Sequence, residues 1–162
     1  MLARALKAFY DQHKTSQPAR AAGAAAAARL LAAMRPEPEV EALAAWTEGM
    51  AALQIDGQME RALALLDRAA AGFEALGQPD TVAAIQNSRV HALAMLGRYD
   101  EALACGLAAR DTFVEHGDAA AAGKIENNLG NVYFRRGQYQ EAEQLYRAAR
   151  GRAGVGSTSR PR

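Results

Sequence analysis

The sequence predicts an all-α protein, a solenoid of antiparallel helix pairs stacked one on the next. Three observations predict it. The first is a repeat at a spacing of 40 residues: Gly57, Met59, Ala62, Leu66 and Ala69 align without a gap over Gly97, Tyr99, Ala102, Gly106 and Ala109, and again over Gly137, Tyr139, Ala142, Tyr146 and Ala149. Only Gly106 departs clearly from the residue type of its counterparts. The second is apolar residues at the three-and-four spacing of an amphipathic helix, with no sustained period-two alternation that would mark a strand. The third is a glycine between successive stripes, where a tight turn needs a residue free to take positive φ. A self-similar period of this length marks a repeat architecture, and helix pairs joined by short turns stack into a superhelix with an extended concave face.

The elements follow in order. Leu2, Leu6, Phe9, Tyr10 and His13 share one helical face, and the segment from Thr15 to Pro18 interrupts it. Pro18 suits the first turn of a second helix, where a missing N–H costs nothing. That helix runs to about Met34, where Pro36 and Pro38 stop it. Residues 1–35 thus read as a helical hairpin that fits the repeat loosely. Ala22 falls one period before Ala62, but Gln17 and Arg29 stand where Gly57 and Ala69 would require small residues. The hairpin is a degenerate repeat or an N-terminal cap. Residues 40–150 hold three regular repeats, at 40–78, 79–118 and 119–150. Their stripes run through Val40, Leu43, Trp46, Met50 and Leu53, then Met59 to Phe73, Val82 to Leu93, Tyr99 to Phe113, Ile125 to Tyr133, and Tyr139 to Ala149. Gly57, Gly97 and Gly137 sit between the two helices of each pair. Gly77 and Gly117 end the second helices, and Asp80 and Asp118 are placed to cap the helices that follow. Residues 151–162, rich in Gly, Ser and Arg, read as a flexible tail. No polar closing helix follows the last pair, which implies a longer solenoid or self-association through that pair.

Composition narrows the function classes. At 162 residues, 50% hydrophobic and 23% charged, the chain suits one soluble domain. A net charge of +1 with acids and bases interleaved gives no case for a nucleic-acid partner. Lys7, Asp11, His13 and Lys14 break the N-terminus before an apolar run develops, so it does not read as a secretory signal. The stretch Ala21–Met34 is interrupted by Arg29 and falls short of the ~20 residues a membrane span needs. Ala is the best helix former, so this stretch reads as a packing helix. The lone Cys105 cannot form an internal disulfide, which fits a reducing, cytoplasmic setting. It lies in an apolar stripe with no activating base beside it, so it reads as an inert buried thiol. His13, His91 and His116 lack the paired spacing of a zinc site, and the glycines form no phosphate loop, so no metal or cofactor is expected. No acid, base and nucleophile set can be assembled, and an enzyme is the last of the readings.

The run Asn128-Leu129-Gly130-Asn131-Val132-Tyr133, then Gly137-Gln138-Tyr139, Ala142, Tyr146 and Ala149, closely resembles a tetratricopeptide repeat. Leu93, Gly97, Tyr99, Ala102 and Ala109 carry the pattern in the second repeat, and Trp46, Leu53, Gly57, Ala62 and Ala69 in the first. The alanines let the two helices approach closely while aromatics fill the gaps. The departures are Val90 and Met50, which stand where Gly130 does, so looser packing is expected in the first two repeats. The 40-residue period exceeds the family's common length. It is similar to the longer-helix subtype of Leu-Gly-Asn-type polarity scaffolds and kinesin light chains, found also ahead of caspase-like (CHAT) protease domains and in bacterial regulatory proteins. Ala- and Arg-rich usage points to a bacterium.

The resemblance implies a right-handed superhelix with the first helix of each pair lining a concave groove that holds a peptide. By the matched positions, the groove side chains are Asn87, His91, Lys124, Asn127, Asn131 and Arg135, with Thr47 and Gln54 in the first repeat. Asn87 and Asn127, one period apart, form a carboxamide ladder able to donate to and accept from a peptide backbone. Met95 and Phe134 lie near the rim and are expected chiefly to pack against the neighbouring hairpin. The family's basic clamp for a C-terminal carboxylate is not matched: of its positions only Lys124 is basic, while Thr47, Ala51 and Asn128 replace the rest. The expected function is a non-catalytic module binding a protein or peptide. The alternatives are a regulatory region of a larger signalling or CHAT-protease protein acting in cis, and a self-assembling unit that buries Tyr146 and its helix against a copy.

Overall fold

The computed structural model describes residues 1–156, with side chains through Arg152. Among these residues every regular element is a helix: α1 (Leu2–His13), α2 (Pro18–Met34), α3 (Pro38–Gln54), α4 (Met59–Ala75), α5 (Pro79–Met95), α6 (Tyr99–Glu115), α7 (Ala119–Arg135) and α8 (Tyr139–Gly156). The fold is all-α and of the stacked-helix-pair type. Each helix from α2 to α7 is 17 residues long. The chain divides into two compact units, Met1–Ile85 and Gln86–Arg162, with the boundary inside α5.

The helix ends follow from the glycines. Gly57, Gly77, Gly97, Gly117 and Gly137 all have φ between 65° and 80°. At Gly77 the Gly N–H donates to the Glu74 carbonyl and the Gln78 N–H to that of Phe73. This is the Schellman pattern, which satisfies the last carbonyls of a helix. It recurs at Gly97, Gly117 and Gly137 with Leu93, Phe113 and Tyr133 as the distal acceptors. A side chain at any of these glycines would force the backbone into strained left-handed geometry. At the helix starts, Asp118 is the N-cap of α7 and its carboxylate accepts from the Ala121 N–H at 2.9 Å. Asp80 differs from expectation. Pro79 already opens α5, so Asp80 falls in the first turn, where its charge favours the helix dipole without being the cap.

In the first unit, α1 and α2 form a hairpin against α3, and α3 pairs with α4. Ala21, Ala24, Ala25 and Ala28 bury one side of α2, and small side chains there permit close helix approach. Tyr10 and Phe73 join Leu43, Met50 and Leu66 in the core, with Val82 and Ile85 at the start of α5. Trp46 meets Phe73 edge to face at 6.0 Å. The Lys7 ammonium lies 4.1 Å from the centre of the Trp46 ring and bonds to Asp11. Burial drives the Lys7 pKa down, and the Asp11 hydrogen bond opposes this.

In the second unit, α6 packs on α7 and α7 on α8 around Val90, Leu93, Leu103, Phe113, Ile125, Leu129 and Val132. Glu126 is buried, and both its oxygens accept from Arg152 Nε, at 2.9 and 3.0 Å. That contact lies within the stretch whose composition reads as a flexible tail. Residues 151–156 instead continue α8. Glycine in a helix interior costs only about 1 kcal/mol, and the Arg152–Glu126 pair ties this stretch to α7. Residues 157–162 lie outside the described part.

The departures from the repeat consensus are exchanges of volume, and the looser packing expected of them is absent. A Cβ on Gly130 would lie 2.6 Å from the Tyr146 ring, which fills the space above it. In the preceding pair the sizes are swapped. A Cβ on Gly106 would meet Leu129 at 2.6 Å and Val90 at 2.9 Å, so the valine occupies the volume that tyrosine takes one period later. In the first repeat Leu66 lies 3.1 Å from where a Gly49 Cβ would be. The small residue has moved one place earlier, and Met50 is buried in its own right. Close packing conserves total volume across a contact and is indifferent to which helix supplies it.

Candidate functional site

A cleft of about 450 Å³ lies between the C-terminal halves of α5 and α7. Helical spacing builds it. On α5 the positions 90, 91, 94 and 95 fall on one face, and on α7 the positions 128, 131, 134 and 135 do the same. Val90, His91, Ala94 and Met95 form one wall, and Asn128, Asn131, Phe134 and Arg135 the other. Val90 is fully buried and Ala94 nearly so. Met95 and Phe134 are 46% and 56% exposed, large apolar side chains left in contact with water.

The carboxamides are held in place. Asn128 Nδ2 donates to Asn87 Oδ1 at 2.7 Å, and the Tyr146 hydroxyl donates to Asn131 Oδ1 at 2.8 Å. A carboxamide offers two donor hydrogens and one acceptor oxygen. These bonds therefore leave the Asn128 oxygen and the Asn131 N–H groups without intramolecular partners among the described residues. One acceptor and one donor group, each on an oriented side chain, face a partly apolar trough. Arg135 brings a guanidinium, and no carboxylate lines the cleft. Desolvation lowers the pKa of His91, and the charge of Arg135 lowers it further, so the ring is neutral at physiological pH.

Three of the expected groove residues, His91, Asn131 and Arg135, line this cleft. Asn87 stands behind it as the acceptor for Asn128. Lys124 and Asn127 are exposed on α7 but do not line it. The carboxamide pair across the two helices is therefore Asn87 with Asn128, one residue beyond the 40-residue offset, because side chains meet by helix face and not by repeat register. In the first unit Thr47 is fully buried, and its hydroxyl donates to the Leu43 carbonyl at 2.7 Å, which removes it from any groove. Gln54 is exposed and accepts from the Tyr10 hydroxyl at 3.4 Å. Met95 and Phe134, expected mainly to pack, supply the apolar surface of the cleft instead. Phe134 meets Tyr139 edge to face at 5.3 Å. Tyr146, expected on a self-association surface, is committed to Gly130 and Asn131 inside its own helix pair. The signal for Asn128 is present in the sequence as a run of two asparagines. Helical phase alone does not tell which of two adjacent residues turns inward.

Among the described residues little else has the makings of a chemical site. Cys105 is half-buried with its sulfur 3.4 Å from the Ala102 carbonyl. His13 stacks on Phe9, with Nδ1 at 2.8 Å from that residue's carbonyl. No cluster of three or more His, Cys, Asp or Glu side chains that could hold a metal occurs among the described residues. None of their helices is long and apolar enough to cross a membrane.

Residues 81–153 match the family model of the tetratricopeptide repeat. The match runs from the first turn of α5 into α8 and includes every side chain that lines the cleft. No curated protein matches the chain.

Proposed function

We propose that this chain, which carries tetratricopeptide repeats, is a non-catalytic protein–protein interaction module that holds a peptide segment of its partner in the cleft between α5 and α7. The observation that carries the reading is the composition of that cleft. Two exposed apolar side chains flank an oriented carboxamide acceptor and an oriented carboxamide donor. An extended peptide presents alternating N–H and C=O groups, so the two asparagines match one peptide unit while Met95 and Phe134 cover a side chain. Repeats of this kind present elongated surfaces for binding other chains. In the fuller reading the module is of the longer-helix subtype, works in a bacterial cytoplasm and needs no cofactor.

Selection of a displayed random dodecapeptide library on the protein tests this. Selected peptides are expected to lose at least about tenfold in affinity for Asn131→Ala/Phe134→Ser, the loss of one hydrogen bond and one apolar contact. The variant should keep the helical circular dichroism of the parent. Peptides that bind both proteins equally would remove the cleft from the function.

A further inference from the structure

We propose that the cleft between α5 and α7 is specific for an acidic segment of another protein, with an apolar side chain lodged against Met95 and Phe134 and an adjacent carboxylate on Arg135. This rests on the cleft being the peptide site described above and adds the chemistry of the occupant. The first support is charge. Arg135 lines the cleft among neutral residues, His91 included, and no Asp or Glu does. The neighbouring Arg136 is paired with Asp100, Arg147 with Glu143 and Arg152 with Glu126. Arg135, by contrast, has no carboxylate partner among the described residues. A guanidinium binds a carboxylate through two parallel N–H donors, so it selects an acid by geometry as well as charge.

The second support is the line of residues on α7. Lys124, Asn128, Asn131 and Arg135 follow one another at spacings of four, three and four, a single stripe along the helix. Lys124 is exposed and likewise has no carboxylate partner among the described residues. Its Cα lies about 16 Å along the axis from that of Arg135 at the usual helical rise. An extended chain covers that distance in about five residues. The stripe therefore suits a segment with one carboxylate beside its apolar anchor and a second about five residues away. A basic segment would place like charges together at both ends. The apolar anchor is accommodated because the Met95 thioether is flexible and polarisable, and the exposed Phe134–Tyr139 pair offers an aromatic face and edge.

Fluorescence anisotropy with three synthetic nonapeptides, each acetylated and amidated, tests the inference. The parent carries Phe next to Glu, with a second Glu five residues on. One control replaces both Glu residues by Lys, and the other replaces Phe by Ser. The parent should bind tightest and weaken as salt is raised. Each control should be at least about tenfold weaker, as expected for loss of a charge-assisted bond or of a buried aromatic contact. Arg135→Glu is a surface substitution that keeps the helix, and it should reverse the order of the Glu and Lys peptides. Equal binding of the Glu and Lys peptides, lost in Asn131→Ala/Phe134→Ser, would overturn the acidic specificity and leave the peptide cleft standing. Absence of binding by all three peptides would overturn the specificity, and the library selection decides separately whether the cleft binds peptides. A concentration-dependent mass abolished by Arg135→Glu would overturn it in favour of a second copy of the chain.

Discussion

Each unit of the molecule contains a cleft, and the two are built to opposite ends. In the first unit Ala22, Ala25, Ala26 and Ala51 line a depression of about 140 Å³. Its charged lining is balanced, with Arg29 and Arg61 against Glu48 and Asp56, and Arg61 stands 3.9 Å from each carboxylate. The cleft of the second unit holds about 450 Å³, exposes Met95 and Phe134, and has a guanidinium but no acid. The aromatic pairs show the same contrast. Trp46 and Phe73 meet edge to face within the first unit's packing, whereas Phe134 and Tyr139 meet edge to face at the surface. Stacked helix pairs generate a depression as a matter of geometry. What gives one a use is whether the side chains around it already satisfy one another.

The contrast breaks most severely when the first unit's aromatic contact is emptied. Trp46→Ala should cost about 3 kcal/mol, the low end for a large aromatic, because the ring is only partly buried. Chemical denaturation reads this directly, and an unchanged midpoint would show that the ring contributes nothing to stability, its contact with Lys7 included. Next in size is Gly130→Leu, which forces the Tyr146 ring off α7 and with it the bond that orients Asn131. It should destabilise by about 2 kcal/mol through overpacking and abolish peptide binding. Its counterpart Gly49→Ala meets Leu66 only at 3.1 Å, so the methyl clash and the gain in helix propensity nearly cancel. A large loss there would mean the two contacts are not equivalent.

A smaller effect is expected from making the first cleft resemble the second. Glu48→Gln/Asp56→Asn removes both acids of Arg61 and leaves the depression with Arg29 and Arg61 but no carboxylate. Pairs separated by 3.9 Å and sharing a half-exposed Arg61 are worth little, so stability should change by less than about 1 kcal/mol. The acidic nonapeptide should then gain weak binding at the new cationic depression. No gain at all would show that charge balance does not separate the two clefts. The smallest effect belongs to His91. Its pKa is lower in the folded chain than in the unfolded one, so the unfolded chain takes up the proton first as pH falls. Stability contributed here is intact at higher pH and declines as pH drops through about 6.5 toward the folded value. Denaturation compared at about pH 7.5 and about 5.5 should show a shallower pH dependence for His91→Gln. In Arg135→Gln the His91 ring should titrate nearer its ordinary value by NMR, though still below it, since desolvation is the larger cause.

Turn glycines and apolar stripes are legible in the sequence because they answer to local rules. The positive φ at Gly57, Gly97 and Gly137 follows from the spacing of the stripes, and so do helix bounds that fall within a residue or two of those stripes. His91, Asn131 and Arg135 are legible as residues off the core because their phase on α5 and α7 differs from that of the buried stripes. Asn128 is not, since Asn127 and Asn128 differ by only 100° of helical phase and the contact with Asn87 decides between them. Thr47 escapes sequence reasoning for the same reason. Its position faces outward in the repeat pattern, but in the first unit it is fully buried, and its hydroxyl is satisfied by its own helix.

The sequence by itself determined the helical class and the phase of the helix pairs, because period, turn glycines and small-residue positions act over a few residues at a time. Tertiary structure alone decided that Val90 fills the space over Gly106 as Tyr146 does over Gly130, that Arg152 continues the last helix by reaching Glu126, and that Met95 and Phe134 stay in solvent beside an uncompensated Arg135. Each of those outcomes depends on which side chains, far apart in the chain, compete for one volume or one charge, and no local pattern records the result of that competition.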